Sequence, residues 1–145
     1  MLPKEQRLRS SAGFTQTVRR GVKAGRPTVV VHALNIHAPA PTRVGFVVDK
    51  HVGSAVTRNR VKRRLRHLVA ARLATSPVGL MVVVRATPLA ASLPHQVPGD
   101  LSASWHGAME RALARSSADE WRGADGRLRP DVCVSVWTPH AEGAR

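Results

Sequence analysis

Residues 58–66 read Arg-Asn-Arg-Val-Lys-Arg-Arg-Leu-Arg, so six of the nine are cationic and none is acidic. Such side chains bind anions rather than make or break bonds. Arginine in particular suits phosphate, because its planar fork meets two oxygens at once where lysine offers a point charge. Read as a helix, the segment leaves one apolar stripe, Val61, Leu65 and Leu68, free to face a core. Arg58, Lys62 and Arg66 then lie four apart on one flank, and Arg60, Arg63, Arg64 and His67 cover much of the rest. Like charges at these spacings repel and weaken a helix. An acidic partner removes that cost. An ordinary solvated face mixes signs, and this one does not.

Residues that would cut a phosphodiester bond are missing from the same half of the chain. Metal-dependent cleavage uses clustered carboxylates to hold divalent ions, and residues 1–99 contain only two acids, Glu5 and Asp49. A metal-free ribonuclease needs two histidines with a lysine. Among the seven histidines, His32, His37 and His51 fall on expected strands or loops without matched partners. No Ser or Cys stands in a nucleophile elbow, and the single cysteine, Cys133, rules out an internal disulfide and a multi-cysteine zinc site. The residues therefore imply no catalytic group and no metal site in the protein. Asp49, an acid in a basic stretch, is expected to pair with Lys50, His51 or a nearby arginine.

The charge is unevenly spread. The 145 residues carry a net +14. Residues 1–99 hold 17 Lys and Arg against the two acids, and residues 100–145 hold six Arg against seven acids. A basic part joined to a near-neutral part points to a polyanion-binding face. An apolar content of 43% is enough for one core in one domain. No apolar run nears the roughly 18 residues of a membrane span, and residues 1–13 lack the hydrophobic region of a secretion signal. A cytoplasmic location without a membrane partner is expected.

The elements that must position the cationic run follow from periodicity. Ser11 is expected to cap a short helix carrying Phe14 and Val18, with Gly21 as its stop. Residues 28–34 (TVVVHAL) and 42–49 (TRVGFVVD) read as strands, separated by a proline-containing loop at 37–41. The best helix spans 57–75, with Val61, Leu65, Leu68, Val69 and Leu73 on one stripe and Pro77 and Gly79 beyond its end. Residues 80–84 form a short buried strand, and 88–99, with three prolines, a connecting loop. Asp100 is expected to cap a third helix whose apolar face is Leu101, Trp105, Ala108, Met109, Ala112 and Leu113. Helix, two strands, helix, strand, helix is an α+β layer. Residues 131–137 (DVCVSVW) alternate as a strand does, and two readings stay open there: an added edge strand, or a loosely ordered extension.

Residues 44–68, VGFVVDKHVGSAVTRNRVKRRLRHL, resemble the signature of the bacterial ribonuclease P protein component. The parts are Val44-Gly45-Phe46, Lys50, Gly53, Ala55-Val56, Arg58-Asn59-Arg60 and Lys62 to Arg66. Upstream, Arg7-Leu8, Phe14, Val18 and Gly21 are similar to the family's first helix and turn; downstream, Val82 to Arg85 resemble its last strand. The resemblance implies a ribonuclease P protein domain over 1–115 and leaves 116–145 as a C-terminal extension. It implies an α-β-β-β-α-β-α sandwich with a small mixed sheet, ribosomal protein S5 domain 2-like, with a left-handed β-α-β crossover that the general right-handed rule would not give.

For function, the resemblance implies an accessory subunit of a ribonucleoprotein endoribonuclease. Its partners are ribonuclease P RNA and precursor tRNA, with no protein partner required. The RNA is the catalyst and binds most of the Mg2+, and the protein alone is inactive. Carried over by position, Lys50, Arg58, Asn59, Arg60, Lys62, Arg63, Arg64 and Arg66 form the RNA face. Phe14, Val18, Val30, His32, Phe46 and Val48 line a cleft for the single-stranded 5′ leader. The family's cleft usually offers several aromatics, whereas Phe14 and Phe46 are the only Phe here and Tyr is absent. Stacking on an aromatic is worth about 1–3 kcal/mol per base, so the leader contact is expected to be weaker or to lean more on charge.

Overall fold

The computed structural model describes residues 2–36 and 41–114. The 116–145 extension, its 131–137 strand and most of the 37–41 loop lie outside the described residues. A short 3-10 turn, Lys4–Gln6, leads into α1, Ser11–Arg20. Strands β1, Val22–Gly25, β2, Val29–Asn35, and β3, Arg43–Val47, follow. Then come α2, Ala55–Leu73, β4, Leu80–Ala86, the single turn α3, Leu89–Ser92, and α4, Val97–Ala114. The sheet order is β1-β2-β4-β3. β2 pairs antiparallel with β1 and with β4, while β3 pairs parallel with β4. Parallel neighbours need a crossover, and α2 is that crossover. The result is the expected α+β fold on a small mixed sheet.

Strand β4 is covered on both faces, which is why Leu80 to Val84 are all buried and read as a continuous apolar run rather than an alternating one. One face carries the main core. Val29, Val31 and Ala33 of β2, Leu80, Val82 and Val84 of β4 and Val44 of β3 meet two helices there. Helix α2 contributes Val61, Leu65, Val69 and Leu73; α4 contributes Leu101, Trp105, Ala108, Met109 and Ala112. Burying each large side chain contributes about 1.5–3 kcal/mol. The other face holds a smaller cluster, Leu8, Leu34, Ile36, Met81 and Val83, with Phe14 packed on it. Helix α1 lies on that face and buries Gly13 and Thr17; the Thr17 hydroxyl donates to the Gly13 carbonyl at 2.7 Å. Among the described residues, no helix is long and apolar enough to cross a membrane.

Several expectations shift. Ser10, not Ser11, caps α1: it is extended, and its hydroxyl accepts from the Gly13 amide at 3.3 Å. Helix α2 starts at Ala55, two residues early, because Ser54 accepts the Thr57 amide. Helix α4 starts at Val97, so Asp100 is not its cap. The Asp100 carboxylate instead accepts from the Thr28 hydroxyl at 2.7 Å and the Thr28 amide at 3.2 Å, tying the helix to the start of β2. Leu113 is exposed. The 88–99 stretch is partly helical, through α3 and the start of α4. Strand β1 has only four residues and no apolar alternation, so its partner β2 defines it.

Candidate nucleic-acid interface

Strand β3 ends at Val47, and the chain turns through residues 48–53 into α2. Two features hold this turn. Val52 is buried in the main core. Asp49 accepts from the His51 amide at 2.9 Å, with its carboxylate 3.6 Å from Arg85 and 3.8 Å from the His51 ring. Asp49 thus takes two of its expected kinds of partner. Gly53 has φ +149°, a backbone that a side chain would strain. The turn delivers Ser54 to cap α2, and the buried stripe of α2 then fixes the rest by geometry. With Val61, Leu65, Val69 and Leu73 against the sheet, Asn59, Arg60, Arg63, Arg64, Arg66 and His67 are exposed, and Arg58 and Lys62 are half-buried at the flank.

These side chains frame an open groove of about 1630 Å³. Asn59, Arg60, Lys62, Arg63, Arg64, Arg66 and His67 line it from α2; Val44, Gly45 and Phe46 line it from β3. The N-terminal segment adds Arg7, Leu8 and Arg9, α1 adds Phe14, and the link into α4 with its first turn adds Pro94, His95 and Pro98. Among the described residues, no acidic one lines this groove. The N-terminal segment is fastened to the edge of β3: Leu8 donates to the Val44 carbonyl at 2.9 Å, and the Arg7 side chain to the Leu2 carbonyl at 2.9 Å. Arg58 lies beside the groove, in a cleft of about 130 Å³ with Val48, Ala55, Asn59 and Lys62. Lys50 is exposed on the preceding turn and lines neither.

The six residues expected to share a leader cleft do not converge. Strand pleating sends Val44, Phe46 and Val48 to one face and Gly45 and Val47 to the other. Phe46 and Val48 pack against the core under α2, whereas Val30 and His32 lie on the α1 side. Phe14 reaches the groove by resting on Gly45, where an added Cβ would overlap its ring. The α1 side has its own polar site. His32 is buried, its Nδ1 has no hydrogen-bond partner, and Lys23 is its neighbour across the β1–β2 pair. Burial first, then Lys23 and Arg85, hold the His32 pKa below its usual 6.5, which keeps the ring neutral at pH 7. Val18 on α1 is 47% exposed and lines neither groove nor cleft. Sequence reasoning missed Arg7, Arg9, Lys23, Arg85 and His95. Arg7 and Arg85 entered only as part of the family resemblance and the others only as residue types; chain reversal brings Arg7, Arg9 and His95 to the groove, and strand pairing brings Lys23 and Arg85 to His32.

This arrangement lines up cations along α2 for a polyanion. Among the described residues, no group of three or more His, Cys, Asp or Glu is placed to hold a metal ion. Asp49, the acid nearest α2 in sequence, is engaged by Arg85 and its own turn.

A small α+β domain with one acid-free arginine helix bordering an open groove has the charge and shape of a nucleic-acid-binding protein. The Ribonuclease P family profile matches residues 2–112. The ribonuclease P protein component of Streptomyces bikiniensis is 55% identical over 113 residues, covering 72% of this chain and 92% of that one. The same component from Kocuria rhizophila is 48% identical over 115 residues, covering 79% and 98%. The solved structure of the Staphylococcus aureus RNase P protein superposes with a TM-score of 0.65 at 24% identity, over 71% of this chain and 94% of that one, and supports the fold. The chain belongs to the bacterial ribonuclease P protein family, whose members serve tRNA 5′ processing together with ribonuclease P RNA.

Proposed function

We propose that this protein binds ribonuclease P RNA through the exposed surface of α2 and holds the 5′ leader of precursor tRNA, while the RNA performs the cleavage. The observation that carries the reading is the acid-free groove beside α2, where six residues of the cationic run meet two phenylalanines. The surface of α2 repels itself, and a phosphate backbone relieves that repulsion while releasing counterions. Bridging two polyanions in this way lowers their mutual repulsion and so the magnesium they need. In this reading the magnesium is held by the RNA, the protein alone is inactive, no protein partner is required, and the complex works in the cytoplasm.

The leader is assigned to the α1 side of the sheet and the adjoining rim of the groove. Support comes from the grouping of Val30 and His32 with Lys23 and Arg85, from the exposed Val18 on α1, and from Phe14 at the boundary with the groove. A neutral imidazole can exchange a hydrogen bond with a base, while Lys23 and Arg85 meet the backbone charge. The test is the affinity of the assembled enzyme for precursor and for mature tRNA. Phe14→Ala and Lys23→Glu are expected to weaken binding of the precursor, which has a leader, by about tenfold, the scale of one lost stacking or phosphate contact. Binding of mature tRNA is expected to stay unchanged. Equal losses for both RNAs would reject the leader assignment.

A further inference from the structure

Arg64 stands apart from the other cations of α2. Its Nη1 donates to the Pro94 carbonyl at 3.0 Å, across 30 residues of sequence. Pro94 belongs to the 93–98 connector, which joins α3 to α4 and includes the first two residues of α4. This connector is a built element: Ala90 before it and Val97 within it are buried, and the Gln96 amide closes a turn onto the Leu93 carbonyl at 3.0 Å. Pro94 and Pro98 restrict its backbone further. The following acid, Asp100, has its carboxylate turned to Thr28. The connector therefore presents Pro94, His95 and Pro98 to the groove that Arg60, Arg63 and His67 line, and brings no acid with them.

We infer that the 93–98 connector is a second RNA-contacting element, and that Arg64 is a positioning residue that docks it beside α2. The inference rests on the reading of α2 as the RNA face. RNA lying on α2 then meets a wall on this side, with His95 as a hydrogen-bonding group and the two proline rings as apolar platforms for a ribose or base. Arg64 has five N–H donors, and the Pro94 carbonyl uses one of them. The others remain for phosphate, so the guanidinium couples the connector to the bound strand.

The test is tethered hydroxyl-radical cleavage of ribonuclease P RNA in the assembled complex, using full-length protein with Cys133→Ser and one new cysteine at a time. The expected result is RNA cleavage from Asn59→Cys and from His95→Cys at adjacent nucleotides, and none from His106→Cys on α4. With the RNA saturated by protein, adding Arg64→Gln should lower cleavage from position 95 about fivefold relative to cleavage from position 59, the scale of one net hydrogen bond. Arg64→Lys, which keeps one donor, should restore most of it. Cleavage from position 59 without cleavage from 95 overturns the inference and leaves the α2 reading standing. Cleavage from neither, or equally from position 106, overturns both. Equal signals from position 95 in the Gln and Lys variants would remove Arg64 from its positioning role.

Discussion

Helices α2 and α4 lie on the same face of the same sheet and are almost equal in length, 19 and 18 residues. Each buries one apolar stripe. Their outward surfaces differ. Helix α2 carries seven Lys and Arg and no acid. Helix α4 engages its charges with the protein's own groups: Asp100 binds Thr28, Arg111 donates to the Lys23 carbonyl at 2.6 Å, and on the exposed surface His106 lies 3.4 Å from Glu110. Covering a sheet thus requires a stripe and leaves the remaining helix surface unconstrained. The repulsion on α2 is a cost that folding does not demand, and it points outward to an anion.

The largest effect expected from this contrast is in RNA binding. Arg60→Glu with Arg63→Glu on α2 should weaken ribonuclease P RNA binding by roughly 10³-fold, whereas His106→Glu with Leu113→Glu on α4 should change it less than about threefold. Filter binding at fixed salt checks both, and comparable losses would erase the distinction between the helices. Their buried stripes, by contrast, should behave alike. Leu65→Ala and Leu101→Ala, each at a fully buried position, should each cost about 2–5 kcal/mol in urea unfolding. A near-neutral Leu65→Ala would mean that α2 is not held by its stripe.

A smaller effect concerns how the two helices are joined. The Trp105 indole donates to the Ser76 hydroxyl at 3.1 Å, and Ser76 in turn donates to the Arg72 carbonyl at 2.8 Å, linking α4 to the end of α2. Ser76→Ala should cost about 1–2 kcal/mol through the unpaired indole, with RNA affinity unchanged, as thermal unfolding and binding together would reveal. The smallest is a pH effect on the α1 side. Because the folded state holds the His32 pKa below 6.5, the unfolded chain takes up a proton first as pH falls. The His32 contribution is whole above about pH 6.5 and is lost as pH falls through the folded value. His32→Gln should therefore flatten the decline in stability below about pH 6.5; an unchanged slope would show that His32 titrates normally.

The cationic surface of α2 was legible in the sequence because both of its ingredients are local. A 3.6-residue stripe fixes which side chains are buried, and the charges fill what remains. The two central strands were legible from their β-branched runs. Partnerships between distant residues were not. The faces of Phe46 and Val48 follow from the pairing of β3 with β4, and a shift of one residue would reverse them. Arg64 reads as one more arginine in a run until the connector, 30 residues on, folds back onto it. Asp100 has the type and place of a helix cap, and only its contact with Thr28, 72 residues away, assigns it elsewhere. Strand β1 lacks an apolar pattern of its own and exists through β2.

The central claim is that the protein supplies binding and the RNA supplies chemistry. Cleavage of precursor tRNA at low magnesium tests it most directly, comparing protein alone, ribonuclease P RNA alone and the two combined. The account predicts efficient cutting at the mature 5′ end by the mixture and none by the protein. Cutting by the protein alone, or a mixture no faster than its RNA, would contradict it.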